Sequence, residues 1–165
     1  DHAKKALSLA SDLGAKYNAS LVLVHVLLTH ARSESLRAVA SRRGLSKKQR
    51  DLLDNYEADF QMQVAAGGGD AGFVTVPPPR DLVETIGKQI MDRAESIAAK
   101  AGVKKVTAVM LEGDPAEAIL DLAARRKADM IVLGSRGLSD FKGLLLGSVS
   151  HKVSAQADCT CVTVK

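Results

Sequence analysis

The chain has 165 residues, of which 46% are hydrophobic, 25% are charged and only 3% are aromatic. This length suits one domain with an aliphatic core, because a chain of about 150 residues buries roughly 70% of its unfolded surface. No apolar run approaches the ~20 residues of a membrane span, so no membrane partner is predicted. The net charge of +4 favours an anionic ligand, but without aromatic platforms or a basic stripe it does not indicate nucleic acid.

The first predicted elements are a helix and a buried strand. Small and aliphatic residues recur at helical spacing from Ala3 to Leu13, and Asn18 is a suitable left-handed stop. Residues 20–28 form an apolar, β-rich run typical of a parallel strand that is covered on both faces. His25 lies inside this run and is predicted to be a packed histidine bonded to backbone.

Residues 30–80 have a different character. Residues 33–43 are predicted to form a short helix, and Ser46 with Gln49 forms the pattern of a capping box that begins a second helix. Residues 70–79 end in three consecutive prolines and are predicted to be an extended linker. Two interpretations stay open: a surface excursion that packs on its own domain, or a lid or partner-docking surface.

Two more helices enclose the next predicted strand. Asp81 and Glu84 have the spacing of a capping box, and the helix that they begin is predicted to end at Gly102. Residues 103–111 are predicted to form the strand. Asp114 stands before a proline and is predicted to cap the helix that follows.

The most informative stretch begins with residues 130–133, an unbroken apolar run typical of a strand buried on both faces. The run ends at Gly134, Gly137 and Gly147 follow, and a helix is predicted over 148–157. Backbone N–H groups of a glycine-rich loop and the first N–H groups of a helix can converge on an anion. Glycine permits the close approach of a phosphate because it has no Cβ.

Strands that alternate with helices require parallel pairing through crossovers, so the sequence predicts a doubly wound α/β fold with a last strand over 160–165. Ligands of such sheets bind outside the carboxyl ends of the strands, where Gly134 and Val26 both lie. Cys159 and Cys161 are too close in sequence for an ordinary disulfide, and nothing nearby completes a metal site. Both are predicted to be packing residues in a reducing, cytoplasmic environment.

The pattern Gly-x2-Gly-x9-Gly-Ser between a buried strand and a helix resembles the nucleotide-binding motif of the universal stress protein family. Residues 112–119, 128–134 and 158–164 resemble the same family in the expected order. The match covers residues 1–29 and about 81–165. It implies a single domain over 1–165 with a helical and linker insertion at about 30–80.

The resemblance also implies a five-stranded, Rossmann-like sheet of the adenine nucleotide alpha hydrolase type. Members of the family open with a strand that ends in Asp-Gly-Ser and lies in the middle of the sheet. In this sequence Asp1 and His2 resemble the residues just after that tripeptide. We therefore expect about ten more residues upstream in the natural polypeptide, and no position of the 165-residue sequence inherits the acidic residue of that strand.

By this resemblance the ligand is ATP, with the need for Mg²⁺ left open. Val26 corresponds to the position whose backbone reads adenine. The two walls of the phosphate and ribose pocket are predicted to be Leu133, Gly134, Arg136 and Gly137, and Gly147, Ser148, Val149 and Ser150. The hydroxyls of Ser148 and Ser150 are expected to donate to phosphate oxygens. Arg136 either offers a fixed positive charge to phosphate or contacts only water. Phe141 and residues 144–146 are expected to cover the loop.

Little or no hydrolysis is expected, because no Gly-Lys-Ser/Thr of the Walker type follows a strand. His151 is the only nearby titrating base, and a structural or solvated role suits it better than water activation. The family resemblance further implies a homodimer through the strand at 160–165 and a nucleotide-dependent role in stress sensing. Two alternatives are a nucleotide-free interaction module that uses residues 30–80, and an adenylating ATP pyrophosphatase, whose Ser-Gly-Gly-x-Asp-Ser loop is absent.

Overall fold

Helices and strands alternate along the residues that the computed structural model describes, which are 2–27, 46–66, 77–137 and 146–165. In chain order these elements are α1 (His2–Tyr17), β1 (Ser20–Val26), α2 (Lys47–Ala66), α3 (Arg80–Lys100), β2 (Lys105–Leu111), α4 (Pro115–Arg126), β3 (Met130–Gly134), α5 (Ser148–Gln156) and β4 (Thr160–Val164). Within these ranges, none of the helices is long and apolar enough to span a membrane. The predicted helix at 33–43 and the predicted cover of the loop by Phe141 lie outside the described residues.

The strands form two parallel two-stranded sheets. In one, β1 pairs with β2, from Ser20 opposite Lys105 to Val26 opposite Leu111. In the other, β3 pairs with β4 through five register pairs that end at Gly134 and Val164. The α/β class and the parallel pairing are confirmed. The five-stranded sheet is found only in part, because the described residues contain four strands in two separate pairs.

The strands are also less buried than their apolar runs predict. Met130 was expected inside a strand covered on both faces, but it is 44% exposed, and the rest of β3 is half-buried. Val24 of β1 and Met110 of β2 are 37% and 44% exposed. Among the described residues, each strand has a paired neighbour on one side only, so its side chains lack the flanking side chains that a second neighbouring strand would place on the same face.

The local signals at several helix ends are confirmed. Asn18, just after α1, has φ 52°, and Gly102, just after α3, has φ 91°, so both adopt the left-handed conformation that ends helices. Ser46 and Gln49 form a reciprocal capping box before α2. The Ser46 N–H donates to Gln49 Oε1 at 2.8 Å, and the Gln49 N–H donates to Ser46 Oγ at 3.4 Å.

The capping box predicted at Asp81 and Glu84 is wrong. The helix α3 already begins at Arg80, so Asp81 lies inside its first turn, and the Leu82 N–H donates to the carbonyl of Pro79 at 3.0 Å. The Glu84 carboxylate accepts a hydrogen bond from Arg80 Nε at 2.6 Å. The fixed φ of the preceding proline favours a helical start, so the helix begins before the acidic residue.

The chain divides into two compact units, which are Asp1–Val26 with Gly87–Lys165, and Leu27–Ile86. In the first unit α1 contacts both sheets, and α4 contacts β1 and α5. A Cβ on Gly14 of α1 would lie 3.3 Å from a methyl carbon of Val103, so this helix approaches the end of α3 closely. The buried apolar residues of the first unit are Ala6, Leu23, Met91, Ala98, Val103, Ala116, Leu122 and Val153.

The second unit has its own buried residues. In α2 these are Leu53 and Tyr56, three positions apart on one face as the helical spacing predicts, and burial raises the pKa of the Tyr56 hydroxyl. The others are Leu27, Leu82, Val83 and Ile86. This unit includes the residues of the insertion predicted at about 30–80, and their being an insertion within one domain stays a prediction.

Candidate anion-binding site

The strand β3 ends at a glycine that packs directly against the start of α1. A Cβ on Gly134 would lie 2.9 Å from the backbone nitrogen of Ala3 and 2.9 Å from the carbonyl carbon of His2. A side chain cannot approach backbone atoms that closely without displacing them. Glycine is therefore required here by the close approach of α1, and it places the loop at 135–137 beside the first turn of that helix.

Ser135 is completely buried, and each of its polar groups has a partner. Its N–H donates to the carbonyl of Val164 at 2.8 Å. Its carbonyl accepts from the Gly147 N–H at 2.7 Å and from the Ser150 hydroxyl at 2.9 Å. Its own hydroxyl lies 2.7 Å from Nδ1 of His2. One loop residue thus connects the ends of β3 and β4 with the starts of α1 and α5.

The helix α5 begins without a side-chain cap. Gly147 is its N-cap residue, with φ −72° and ψ 162°, and among the described residues no side chain caps the first N–H groups of the helix. The first helical hydrogen bond runs from the His151 N–H to the Gly147 carbonyl at 2.9 Å. The N–H groups of Ser148, Val149 and Ser150 therefore have no partner in the helix. Together with the positive end of the helix dipole, they can bind an anion.

Gly147 brings the start of α5 against the loop after β3. A Cβ at Gly147 would lie 3.5 Å from the Ser135 carbonyl oxygen, 3.6 Å from Arg136 Cα and 3.7 Å from the Gly137 nitrogen. Among the described residues, nothing lies within 4 Å of where a Cβ on Gly137 would be. The structure therefore places the two glycine segments side by side, and Arg136 and Ser148 are exposed next to them. Amide donors, an open approach and a cationic side chain suit phosphate groups.

The other predicted site residues lie around this loop. Leu133 is half-buried in β3 opposite Thr163, and Val149 is half-buried in the first turn of α5. Val26 ends β1, which belongs to the other two-stranded sheet, so its contact with adenine stays a prediction.

Ser150 points inward. It is only 3% exposed, and its hydroxyl lies 2.9 Å from the carbonyl oxygens of both Ser135 and Gly147. A hydroxyl has one proton to donate, so Ser150 could donate to a phosphate only by giving up these bonds. Its side chain holds the loop in this structure, whereas its predicted contact with phosphate stays a prediction.

Charged groups connect α5 to the start of α4. Lys152 Nζ lies 3.3 Å from the Asp114 carboxylate and 3.0 Å from the Glu117 carboxylate. As the sequence predicts, Asp114 caps α4, accepting from the Ala116 and Glu117 N–H groups at 3.1 and 3.0 Å. The bond from the Glu117 N–H lowers the pKa of the Asp114 carboxyl, and the bond to the Glu117 carboxylate raises the pKa of Lys152. Exposed pairs of this kind orient α5 more than they stabilise it.

The remaining candidate groups have simpler surroundings. His151 is exposed on α5, one turn from the loop. Cys161 is half-buried, its Sγ lies 3.9 Å from the Val153 carbonyl oxygen, and burial raises the pKa of its thiol. Among the residues with described positions, no cluster of three or more His, Cys, Asp or Glu side chains could hold a metal ion.

Sequence reasoning missed Ser135 and His2. Ser135 directly follows the glycine that ends β3, and in the sequence it resembles an ordinary loop serine. Only its complete burial shows that its side chain is part of the packed structure. His2 stands 133 positions away from Ser135, so no local pattern could connect them. The close approach of α1 to Gly134 produces their contact.

Parallel strands with helical crossovers are typical of a doubly wound α/β protein, and the glycine loop beside the start of α5 has a geometry that suits an anion. The model of the universal stress protein family matches residues 1–165. The chain therefore belongs to the universal stress protein family, as its motifs predict.

Two curated relatives illustrate the match. The stress response protein NhaX of Bacillus subtilis is 31% identical over 175 aligned positions, covering 100% of this chain and 92% of that protein. The "Universal stress protein in QAH/OAS sulfhydrylase 3'region" of Thermus aquaticus is 46% identical over 82 residues. That alignment covers 47% of this chain and spans 60% of the length of the relative.

Solved structures support the fold. The universal stress protein UspA from Lactobacillus plantarum has a TM-score of 0.66 and 17% identity, covering 100% of this chain and 90% of that one. A universal stress protein in complex with cAMP has a TM-score of 0.58 and 21% identity, with 99% and 87% coverage. One from Archaeoglobus fulgidus in complex with dAMP has a TM-score of 0.59 and 18% identity, with 100% and 89% coverage.

Proposed function

We propose that this protein binds ATP, with its phosphates at the loop formed by Gly134 to Gly137 and the start of α5. The observation that carries the proposal is the uncapped first turn of α5, whose amide donors lie beside the open space at Gly137. The cAMP and dAMP complexes of similarly folded proteins support an adenine nucleotide as the ligand. Mg²⁺ would accompany the nucleotide through phosphate oxygens and water, as it commonly does in proteins.

In this proposal the site binds and orients the nucleotide with little or no turnover. The exposed Arg136 supplies positive charge, Ser148 offers its hydroxyl and N–H, and the backbone of Val26 reads adenine. Phosphoryl transfer also needs a group that orients the nucleophile. His151 is the nearby base, and its exposure on α5 suits a solvated role. Occupancy of the site would then act as a signal, in keeping with a nucleotide-dependent stress sensor.

Calorimetry with ATP, ADP and AMP, with and without Mg²⁺, tests the proposal. We expect heat of binding for the natural protein and no heat for Gly147→Val. A Cβ at Gly147 would already lie 3.5 Å from the Ser135 carbonyl oxygen, so the two methyl groups of valine would occupy the proposed phosphate position. Ala155→Val, at an exposed position of α5, is the matched control and should bind like the natural protein. No heat with any of the three nucleotides would exclude the proposal and favour the nucleotide-free interaction module.

We also propose that the protein acts in the cytoplasm as a homodimer joined through β4. The Thr160 N–H donates to the Asp129 carbonyl and the Val164 carbonyl accepts from Ser135, so these two β4 residues face β3. In a parallel ladder, alternate residues form backbone hydrogen bonds with the same neighbouring strand. The backbone N–H and carbonyl groups of Cys161 and Thr163 are therefore directed to the opposite edge of β4. That edge could pair antiparallel with a second copy. Under the same proposal, Leu27–Ile86 is an insertion within one domain.

A further inference from the structure

We propose that Ser135 is a positioning residue of the phosphate loop, that its hydroxyl is held by His2, and that it does not itself touch the ligand. The inference rests on the proposed nucleotide binding and names a residue pair that acts on the same site. It depends on three observations: the complete burial of Ser135, the two bonds to its carbonyl, and the contact of its hydroxyl with α1.

The first step concerns the peptide between Ser135 and Arg136. In a planar trans peptide, the carbonyl of one residue and the N–H of the next point in opposite directions. The Ser135 carbonyl is directed at the start of α5 by the Gly147 N–H at 2.7 Å and the Ser150 hydroxyl at 2.9 Å. The Arg136 N–H must therefore point away from these two donors, and Arg136 itself is exposed.

This orientation matters because a flipped peptide would reverse the local charge. A carbonyl oxygen would then be directed at the position to which an N–H now points, and its negative end would repel phosphate. In the observed arrangement the Ser135 oxygen already accepts two hydrogen bonds, so its negative charge is withheld from a ligand. Any group that fixes Ser135 therefore also fixes the polarity of the loop.

The second step concerns the remaining side of Ser135. Its N–H donates to Val164 at 2.8 Å, which fixes the residue along the strand direction. Its hydroxyl contacts Nδ1 of His2 at 2.7 Å, which fixes the side chain against α1. The hydroxyl can donate to an unprotonated Nδ1 or accept from a protonated one, so the contact is compatible with either state of the ring. Without this bond, the contacts of the described residues that would resist rotation of the loop are those to the backbone N–H and carbonyl of Ser135.

A double-mutant cycle in ATP affinity tests the pair. Calorimetry with ATP and Mg²⁺ compares the full chain with Ser135→Ala, His2→Ala and the double variant. Each single variant should bind about two- to tenfold more weakly, the range expected from losing one hydrogen bond. The ATP affinity of the double variant should equal that of whichever single variant loses more affinity, since both changes remove the same bond.

Ser11→Ala is the matched control. Ser11 is as buried as Ser135, at 1% exposure, but its hydroxyl donates to the Leu7 carbonyl inside α1, at 2.7 Å. This variant should keep the affinity of the natural protein. Equal weakening by Ser11→Ala would mean that general loosening of buried serines, and not the position of the loop, explains the loss, and the inference would fail.

A spectroscopic readout separates positioning from stability. In ¹⁵N-labelled protein without nucleotide, Ser135→Ala should shift the ring nitrogens of His2 and the amides of Arg136 and Gly137, while Ser11→Ala leaves them in place. His2→Ala should shift the same two amides, which keeps the test informative if Ser135→Ala does not fold.

If the natural chain binds no ATP, the proposed function fails, yet these amide shifts still decide the positioning role. If ATP binds and the variants change neither affinity nor shifts, the inference is overturned. Additive losses in the double variant would overturn the link through His2.

Discussion

Two glycines of the same loop have different reasons to be glycine. At Gly134 the backbone of α1 occupies the space that a Cβ would need, with the Ala3 nitrogen 2.9 Å away. At Gly137 no atom of the residues with described positions lies within 4 Å of where a Cβ would be. The first glycine is required by the packing of the protein itself, whereas the second is proposed to leave room for a ligand.

Gly134→Ala should therefore destabilise the fold, and Gly137→Ala should not. A methyl group forced against the backbone of α1 is expected to cost about 1–3 kcal/mol of unfolding free energy, as overpacking usually does. The free energy of unfolding, measured with urea, should change by no more than about 0.5 kcal/mol in Gly137→Ala. Equal stability of the two variants would show that α1 does not press on Gly134 as described.

Asp114 makes stability depend on acid. Its folded pKa lies below the ordinary value of 3.8, chiefly because it accepts from the Glu117 N–H. A lowered folded pKa means that the stabilisation is fully present above the ordinary pKa and is lost as pH falls through the folded value. Asp114→Asn keeps a capping oxygen but no charge, so its deficit in thermal midpoint should be present at pH 7 and shrink below pH 3.8.

The control for this comparison is Asp121→Asn, in an exposed position later in α4 where the side chain caps no helix end. Asp121→Asn should have the same thermal midpoint as the natural protein, both at pH 7 and below pH 3.8. A deficit in Asp114→Asn that stays constant from neutral to acid pH would show that the carboxylate charge at the cap contributes nothing.

At the scale of elements, α3 shows how unevenly one helix is buried. Ile86, near its beginning, is 2% exposed, whereas Ile97, near its end, is 42% exposed. Both lie at apolar positions of the same helical pattern, so the sequence alone predicts the same degree of burial for both. Only the surrounding structure distinguishes them.

The same substitution at these two sites should thus have different costs. Ile86→Ala should lower the unfolding free energy by about 2–5 kcal/mol, because it removes buried methyl and methylene groups. Ile97→Ala is the matched control in the same helix and should cost about 1 kcal/mol or less. Urea unfolding monitored by far-UV circular dichroism measures both, and similar midpoints would contradict the burial of Ile86.

At the scale of the whole molecule, the outer edge of β4, which pairs with β3 on its other side, is the proposed dimer interface. Thr163 is directed away from β3, so replacing it with proline removes an outer N–H and leaves the ladder to β3 intact. Analytical ultracentrifugation should show Thr163→Pro as a monomer with unchanged helical content. Thr163→Val, which keeps the N–H, should stay a dimer.

A proline variant that still sediments as a dimer would exclude the β4 edge as the interface. A natural chain that is monomeric at all concentrations would exclude the dimer itself. ATP binding is measured on the same samples, and the proposed site lies within one chain. The two proposals can therefore fail separately.

Local and periodic features of this protein follow from its sequence without further information. The apolar runs at 20–28 and 130–133 predict strands, Ser46 and Asp114 predict caps, and Gly102 predicts a helix end, because each depends on neighbours a few positions away. The glycine pattern locates the loop, and together with residues 112–119, 128–134 and 158–164 it indicates the family. The cap predicted at Asp81 fails because the prolines before it begin the helix first.

The groups that fix the loop are known only from the tertiary structure. Packing of α1 against Gly134 brings His2 to Ser135 across 133 positions, and the inward turn of Ser150 follows from the contact between α5 and the same carbonyl. The exposure of Met130 is likewise known only from the tertiary structure, in which β3 pairs with β4 alone among the described strands. Helical and strand patterns report which side of an element is apolar, but they contain no information on which distant residue will lie opposite. That depends on close packing of the whole chain.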